Sequence, residues 1–188
     1  RPVIRGSGWS EPDELSEDDA GEAGRRSIPT LTDEQARAVD GIGATLGTFA
    51  AHLLRGVTGS GKTEVYLRLL ERTLAAGRTA IVLVPEIALT PQTSRRFRER
   101  FESFGVSVLH SGLSSSQRHG EWDRVRRGAS RVVVGARSAV FAPLESLGLI
   151  GVDEEHASSY KQDQLPRYNA RDVAIKRAQL AGCPVLMG

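Results

Sequence analysis

Lys62, Thr63, Asp153 and Glu154 are the residues of this sequence whose types and spacing suit phosphoryl chemistry. Lys62 and Thr63 close the run Gly56-Val57-Thr58-Gly59-Ser60-Gly61-Lys62-Thr63, which satisfies the pattern G-x-x-x-x-G-K-[ST] at every position. Glycines in such a run let the backbone curl until several N–H groups point inward at a polyphosphate, and the following helix adds the positive end of its dipole. The contacts expected for a nucleotide are Gly56, Thr58, Gly59, Ser60 and Gly61 through the loop, with the Lys62 ammonium on the β- and γ-phosphates. The Thr63 hydroxyl is expected on Mg²⁺. The competing reading is a glycine-rich strand-to-helix turn that binds nothing. The strand-like run before the loop and the helix-like run after it weigh against that.

A loop of this kind needs an acid at the tip of a neighbouring strand, and Leu149-Ile150-Gly151-Val152-Asp153-Glu154-Glu155-His156 supplies one. Asp153 is assigned to Mg²⁺ through its water shell. Glu154 is assigned to orienting a water and accepting its proton, which makes hydrolysis, rather than binding alone, the expected activity. The expected catalytic set is thus Lys62, Asp153 and Glu154. The plainer reading, an acidic turn after a core strand, leaves the pairing with the phosphate loop unexplained.

The elements that must position these groups alternate along the chain. Thr32-Asp33-Glu34-Gln35 is a capping box that opens a helix to about Gly41. The helix from Lys62 to about Ala76 turns Val65, Tyr66, Leu69, Leu70 and Leu74 inward and stops at Gly77. Thr79 to Val84 is a continuous apolar run, the mark of a strand buried on both faces of a parallel sheet. Thr90-Pro91 opens a helix that buries Phe97 and Phe101 and faces Arg95, Arg96, Arg98 and Arg100 outward. Strands follow at Val106 to His110, Arg131 to Gly135, Gly148 to Asp153 and Pro184 to Met187. Helices lie between them, from Ser114 to about Gly128 and from Asn169 to Ala181. This alternation predicts a doubly wound α/β domain: a mostly parallel sheet with helices on both faces.

Composition sets the boundaries. Residues 1–24 carry a net charge of −5 and the remainder +7. With few apolar residues, residues 1–29 read as a disordered acidic linker, and residues 30–188 as the folded domain. Its basic excess suits nucleic acid but also an ordinary solvated surface. The single cysteine, Cys183, excludes an internal disulfide and a thiolate cluster for zinc, and fits a reducing cytosol. No long apolar run or leader pattern appears, so no membrane partner is expected. A first residue other than Met and an apolar last stretch read as a piece of a longer protein.

The Asp153-Glu154-Glu155-His156 box resembles the DEAH type of superfamily-two helicases. Further words resemble the bacterial primosomal replication-restart helicases: Gly56 to Leu67, Leu83-Val84-Pro85-Glu86-Ile87-Ala88-Leu89-Thr90-Pro91-Gln92, His110 to Ser114, Val134 to Leu144, Gly148 to His156, Ser159 to Gln162 and Ala170-Arg171-Asp172. The resemblance covers about residues 28–188 and implies the first RecA-like lobe of an ATP-dependent 3′-to-5′ DNA helicase acting at stalled forks. It implies single-stranded and branched DNA, other primosome proteins and single-stranded DNA-binding protein as partners, in the bacterial cytoplasm at the nucleoid. A second lobe, with an arginine finger and a zinc-binding segment, is implied outside this sequence. Two rival readings are a fork-binding primosome scaffold with a vestigial nucleotide site and another superfamily-two DNA translocase.

The same resemblance assigns roles to other residues. Gln35 either reads adenine or serves only its capping box. Thr90 and Gln92 lie in the word that touches a DNA backbone, where amides at a helix start suit a phosphate. The plain alternative there is a strand–loop–helix junction. Arg137 pairs with a phosphate or bridges to the nucleotide site, against a purely structural arginine. In residues 157–168, Tyr160 and Tyr168 are expected to stack on bases, and Lys161 and Arg167 to meet phosphates. The family has His where this sequence has Asn169; Asn is the better helix cap, so the helix start survives and any contact of the His does not.

Overall fold

The computed structural model describes residues 29–56 and 60–188. The acidic linker expected over residues 1–29 lies outside the described residues except for Pro29, and so do Thr58 and Gly59 of the phosphate loop. The described elements belong to the unit Leu31–Gly188.

The chain alternates helix and strand except between β4 and β5, which only a 3₁₀ turn separates: α1 (Asp33–Gly43), β1 (Ala51–Leu53), α2 (Lys62–Ala75), β2 (Thr79–Leu83), α3 (Pro91–Arg100), β3 (Val106–Leu109), α4 (Ser115–Arg126), β4 (Val132–Gly135), β5 (Leu147–Val152), α5 (Ala170–Ala181) and β8 (Val185–Met187). These six strands form one sheet in the order β1-β8-β5-β2-β4-β3, parallel at every pairing. Between β5 and α5 a small antiparallel hairpin pairs β6 (Lys161–Gln162) with β7 (Tyr168–Asn169). Two-residue strands are too short to show alternation, so this hairpin leaves no trace in the residue pattern.

Successive residues of a strand point to opposite faces. Ala80 and Val82 of β2 therefore join the core under α1, α2 and α3, while Ile81 and Leu83 join the one under α4 and α5. Ala170, Ala174 and Ala178, four residues apart and fully buried, give α5 a smooth stripe against the sheet. The caps read from sequence are present: Thr32 with Gln35, Ser114 with Gln117, Thr90 receiving the Thr93 N–H, and Asn169 receiving the Arg171 N–H. Among the described residues no helix is long and apolar enough to cross a membrane.

One expectation on α3 is corrected. Arg95 and Arg98 are exposed, but Arg100 turns back against α2 and retains only 16% of its side-chain exposure, pairing with Glu64 and Glu71. Arg96, about half exposed, also reaches Glu64. The α2 helix offers two carboxylates, Glu64 and Glu71, already bridged by Arg68 at helical spacing, that draw these guanidiniums in.

Because all six strands are parallel, their carboxyl ends share one edge, where ligands of open α/β sheets bind. The segments leaving β1, β5, β2 and β4 meet there. Gly151 keeps that edge tight: a Cβ on it would lie 2.9 and 3.0 Å from the buried Tyr66 ring. Gly151→Ala is expected to destabilise the fold by about 1–3 kcal/mol, as overpacking does, read as a lowered denaturation midpoint at unchanged slope.

Candidate active site

Gly61 caps α2 in a left-handed conformation (φ +80°), and Lys62 and Thr63 occupy the helix's first two positions. A Cβ on Gly61 would stand 2.3 Å from Gln35 Nε2, and one on Gly56 would stand 2.5 Å from Ser60 Oγ. At Gly61 the positive φ would strain any side chain, whereas at Gly56 a Cβ would require the Ser60 hydroxyl to turn aside. Gln35 uses both ends of its amide: Oε1 accepts from the Thr32 N–H at 2.9 Å, while Nε2 donates to the carbonyls of Ser60 at 3.2 Å and Gly61 at 3.5 Å. The cap and the link to the phosphate loop thus coexist in one side chain. Lys62 Nζ donates to the Gly56 carbonyl at 2.9 Å and lies 3.9 Å from Glu154 Oε1. The ammonium therefore sits between the loop and the acidic doublet, two elements 91 residues apart in sequence.

The doublet is held by its main chain. The Asp153 N–H donates to the Leu83 carbonyl of β2 at 2.9 Å. The buried Tyr66 hydroxyl donates to the Val152 carbonyl at 3.1 Å, and the buried Tyr160 hydroxyl to the Asp153 carbonyl at 2.6 Å. Gly188 donates its N–H to Val152 and accepts from the Glu155 N–H. Burial raises both phenols well above their ordinary pKa, and the nearby Asp153 charge adds to this, so both remain donors at neutral pH. Glu154 adopts a left-handed backbone (φ +48°), rare for a residue with a side chain, and its carboxylate reaches both Lys62 and His156, the latter at 3.5 Å. Arg171 at the start of α5 fastens Glu155 at 3.1 Å.

Tyr160 is therefore a correction: with 1% of its surface exposed and its hydroxyl committed to Asp153, it presents no ring for a base to stack on. Its role is to hold the backbone of the acidic box. The inward reading of Tyr66 in α2 holds, but its hydroxyl contact had no sequence signal, and that of Tyr160 none beyond an aromatic near the box.

Asp153 also faces a cavity of about 140 Å³ lined by Thr63, Tyr66, Val84, Thr93, Arg96 and Phe97 among others. Burial first, and the Glu154 charge second, hold its carboxyl above the usual range, with Lys62 opposing. The Cys183 thiol is buried and pushed up to about 11, so it supplies no ready thiolate ligand.

The residues expected at DNA lie on the same sheet edge. Thr90 caps α3 and Gln92 is exposed in its first turn. Arg137 opens the 3₁₀ turn Arg137–Phe141 after β4; its Nη1 donates to the Lys161 carbonyl at 2.7 Å and its guanidinium lies 6.0 Å from the Tyr168 ring centre. Arg177 of α5 fixes that turn by donating to the carbonyls of Val140 and Ala142. Tyr168 is half-buried and packs edge-on against Phe141 at 5.1 Å. Lys161 and Arg167 are exposed, paired with the Asp163 carboxylate at 3.2 Å and its carbonyl at 3.1 Å. A carboxylate shares this edge: Glu86 accepts from the Ser111 N–H at 3.1 Å, and hydrogen bonding from Ser111, its side chain first and its N–H after, holds it below the usual carboxylate range. His110, partly buried at the end of β3, packs beside Gly112.

A family profile described as DEAD/DEAH box helicase matches residues 32–181. The chain belongs to that family. Within this helicase family it is 57% identical over 160 residues to replication restart protein PriA of Bacillus subtilis, and 53% identical over 168 residues to that of Treponema pallidum. These matches cover 84% and 88% of this chain but 20% and 25% of the two relatives, so the chain spans a fifth to a quarter of their length. A solved structure of RecG bound to a three-way DNA junction superposes with a TM-score of 0.59 at 25% identity, covering 94% of this chain and 23% of that one. The RecA-like fold and the resemblance to the restart helicases, both inferred from motifs, are borne out. Membership implies nucleotide and Mg²⁺ use in general. The left-handed glycine at the start of α2, the ammonium beside it and the half-buried Asp153 carboxylate opposite form a donor set that fits both.

The raised pKa of Asp153 makes a stability prediction. Its neutral form favours the fold, so its stabilising contribution is complete below the ordinary carboxyl range and is lost as pH rises through the raised folded value. Asp153→Asn, which keeps the group neutral, is expected to melt higher than wild type at neutral pH. The gap should close as wild type is acidified. Thermal melts across pH read this directly, and an Asn variant less stable at neutral pH would contradict it.

Proposed function

We propose that this chain is the ATP-binding lobe of a DNA-dependent ATPase and helicase that acts at stalled replication forks during replication restart. The observation that carries the reading is the meeting of Lys62 with Glu154 at 3.9 Å while the same ammonium holds the Gly56 carbonyl at the head of the loop. In this reading Lys62 leaves the Gly56 carbonyl for the β- and γ-phosphates, and the loop amides from Gly56 to Thr63 hold the same group. Thr63 and Asp153 hold Mg²⁺, which neutralises charge on the phosphates when bound. Glu154 orients a water and accepts its proton. Gln35 ties the loop to α1 and is the candidate adenine contact.

The DNA side is assigned to Thr90, Gln92, Arg137, Lys161, Arg167 and the exposed edge of Tyr168. Single-stranded and branched DNA are the proposed substrates, supported by the likeness to PriA and to the structure of RecG bound to a three-way DNA junction. Primosome proteins and single-stranded DNA-binding protein are the proposed partners of the full-length protein, and cytoplasm its proposed compartment. A second lobe supplies the arginine finger and a zinc-binding segment. Without that finger this chain alone is expected to turn over ATP roughly 10³-fold or more slowly than the assembled motor.

Titration with a fluorescent ATP analogue and Mg²⁺ tests the site. Lys62→Ala removes a charge-assisted hydrogen bond and is expected to weaken binding roughly 10–100-fold. Glu154→Gln is expected to bind normally while DNA-stimulated turnover of the full-length protein falls about 10²–10⁴-fold. Equal nucleotide binding by wild type and Lys62→Ala would overturn the assignment.

A further inference from the structure

Thr63 is followed directly by Glu64, which, among the described residues, is the one ionisable group in the buried set apart from tyrosine and cysteine. Three guanidiniums surround it. Arg68, one turn along α2, approaches Oε1 at 3.1 Å; Arg100 of α3 donates to Oε1 at 3.1 Å; Arg96 of α3 stands 3.6 Å from Oε2. Arg100 also donates to Glu71 of α2 at 2.7 Å, so one side chain bridges two carboxylates. Glu64 Oε2 has no hydrogen-bond partner, and a carboxylate oxygen left so in a buried site is costly.

The placement of this network is informative. Its α2 side begins one residue after the proposed Mg²⁺ ligand. Its α3 side belongs to the helix whose first turn carries Thr90 and Gln92. Thr63, Thr93 and Arg96 line one cavity with Asp153, so the two helix starts face each other across an unfilled space. One contact in the network is tight and the other is slack. Arg100 is within hydrogen-bond reach, whereas Arg96 sits just outside it. An inward tilt of the first turns of α3 would bring Arg96 onto Oε2 and satisfy the stranded oxygen.

Resting on the function proposed above, we infer that Glu64 is a positioning residue that couples the nucleotide loop to the DNA-contacting start of α3, with Arg96 and Arg100 as its partners. It touches neither ligand. It acts through the tilt of α3, by whether Arg96 reaches Oε2, since coupling between sites needs an element with two arrangements. Glu64 and its partners therefore govern how strongly nucleotide changes DNA affinity, and by reciprocity how strongly DNA changes nucleotide affinity.

The test uses the full-length protein, with single-stranded DNA affinity measured with and without a non-hydrolysable ATP analogue and Mg²⁺. In Glu64→Gln and Arg100→Gln, nucleotide affinity without DNA and DNA affinity without nucleotide are each expected within about twofold of wild type, as for sites sharing no partners. The factor by which nucleotide shifts DNA affinity should fall by about fivefold or more, toward one. Arg96→Gln, at a half-exposed position that folding tolerates, should do the same and carries the test should the buried variants fail to fold. An unchanged factor in folded Arg96→Gln, or a loss matched by equal loss of nucleotide affinity without DNA, overturns the inference. A wild type whose nucleotide leaves DNA affinity unaltered would instead overturn the proposed function, and the inference with it.

Discussion

The site depends on the last turn of backbone beyond β5. A strand tip is ordinarily free to splay once its ladder ends, and two adjacent acids would drive it toward solvent. Here the tip is tied from three directions: β2 receives the Asp153 N–H, Tyr66 and Tyr160 donate to successive carbonyls, and Gly188 closes the far side. Each phenol is buried, so its hydroxyl has nowhere better to bond than these carbonyls. The acids are thus presented by a main chain that cannot relax, and the ammonium of Lys62 meets them from α2.

The sequence announced the architecture because the apolar periods were unambiguous. A run such as Thr79 to Val84 has no exposed face, and only a strand in a covered parallel sheet accommodates it. Capping boxes at Thr32 and Ser114 marked helix starts because the residues three places on could reach back. The phosphate loop and acidic box were legible as words. Their closeness across the sheet was implied by topology alone, since parallel strands bring their carboxyl ends to one edge.

What the sequence hid has a common cause. Tyr160 read as an exposed aromatic in a polar loop, yet its neighbours in space are Asp153 and the core under α5. Arg100 read as one of several outward arginines, yet the Glu64 and Glu71 carboxylates on α2, 36 and 29 residues earlier, draw it inward. Local pattern reports which face of an element is apolar; it does not report which charged or phenolic group finds a partner on another element. The hairpin of β6 and β7 escaped for a different reason, brevity.

The left-handed backbone of Glu154 has an evolutionary consequence. A glycine at that position would relax the main chain, and asparagine would tolerate it better, so the site holds back roughly 1–3 kcal/mol that other side chains would release. Selection for heat tolerance alone would push position 154 away from glutamate, while selection for turnover would hold it. A laboratory lineage freed from the second pressure should lose this acid early, long before the hydrophobic sheet beneath it shows any change.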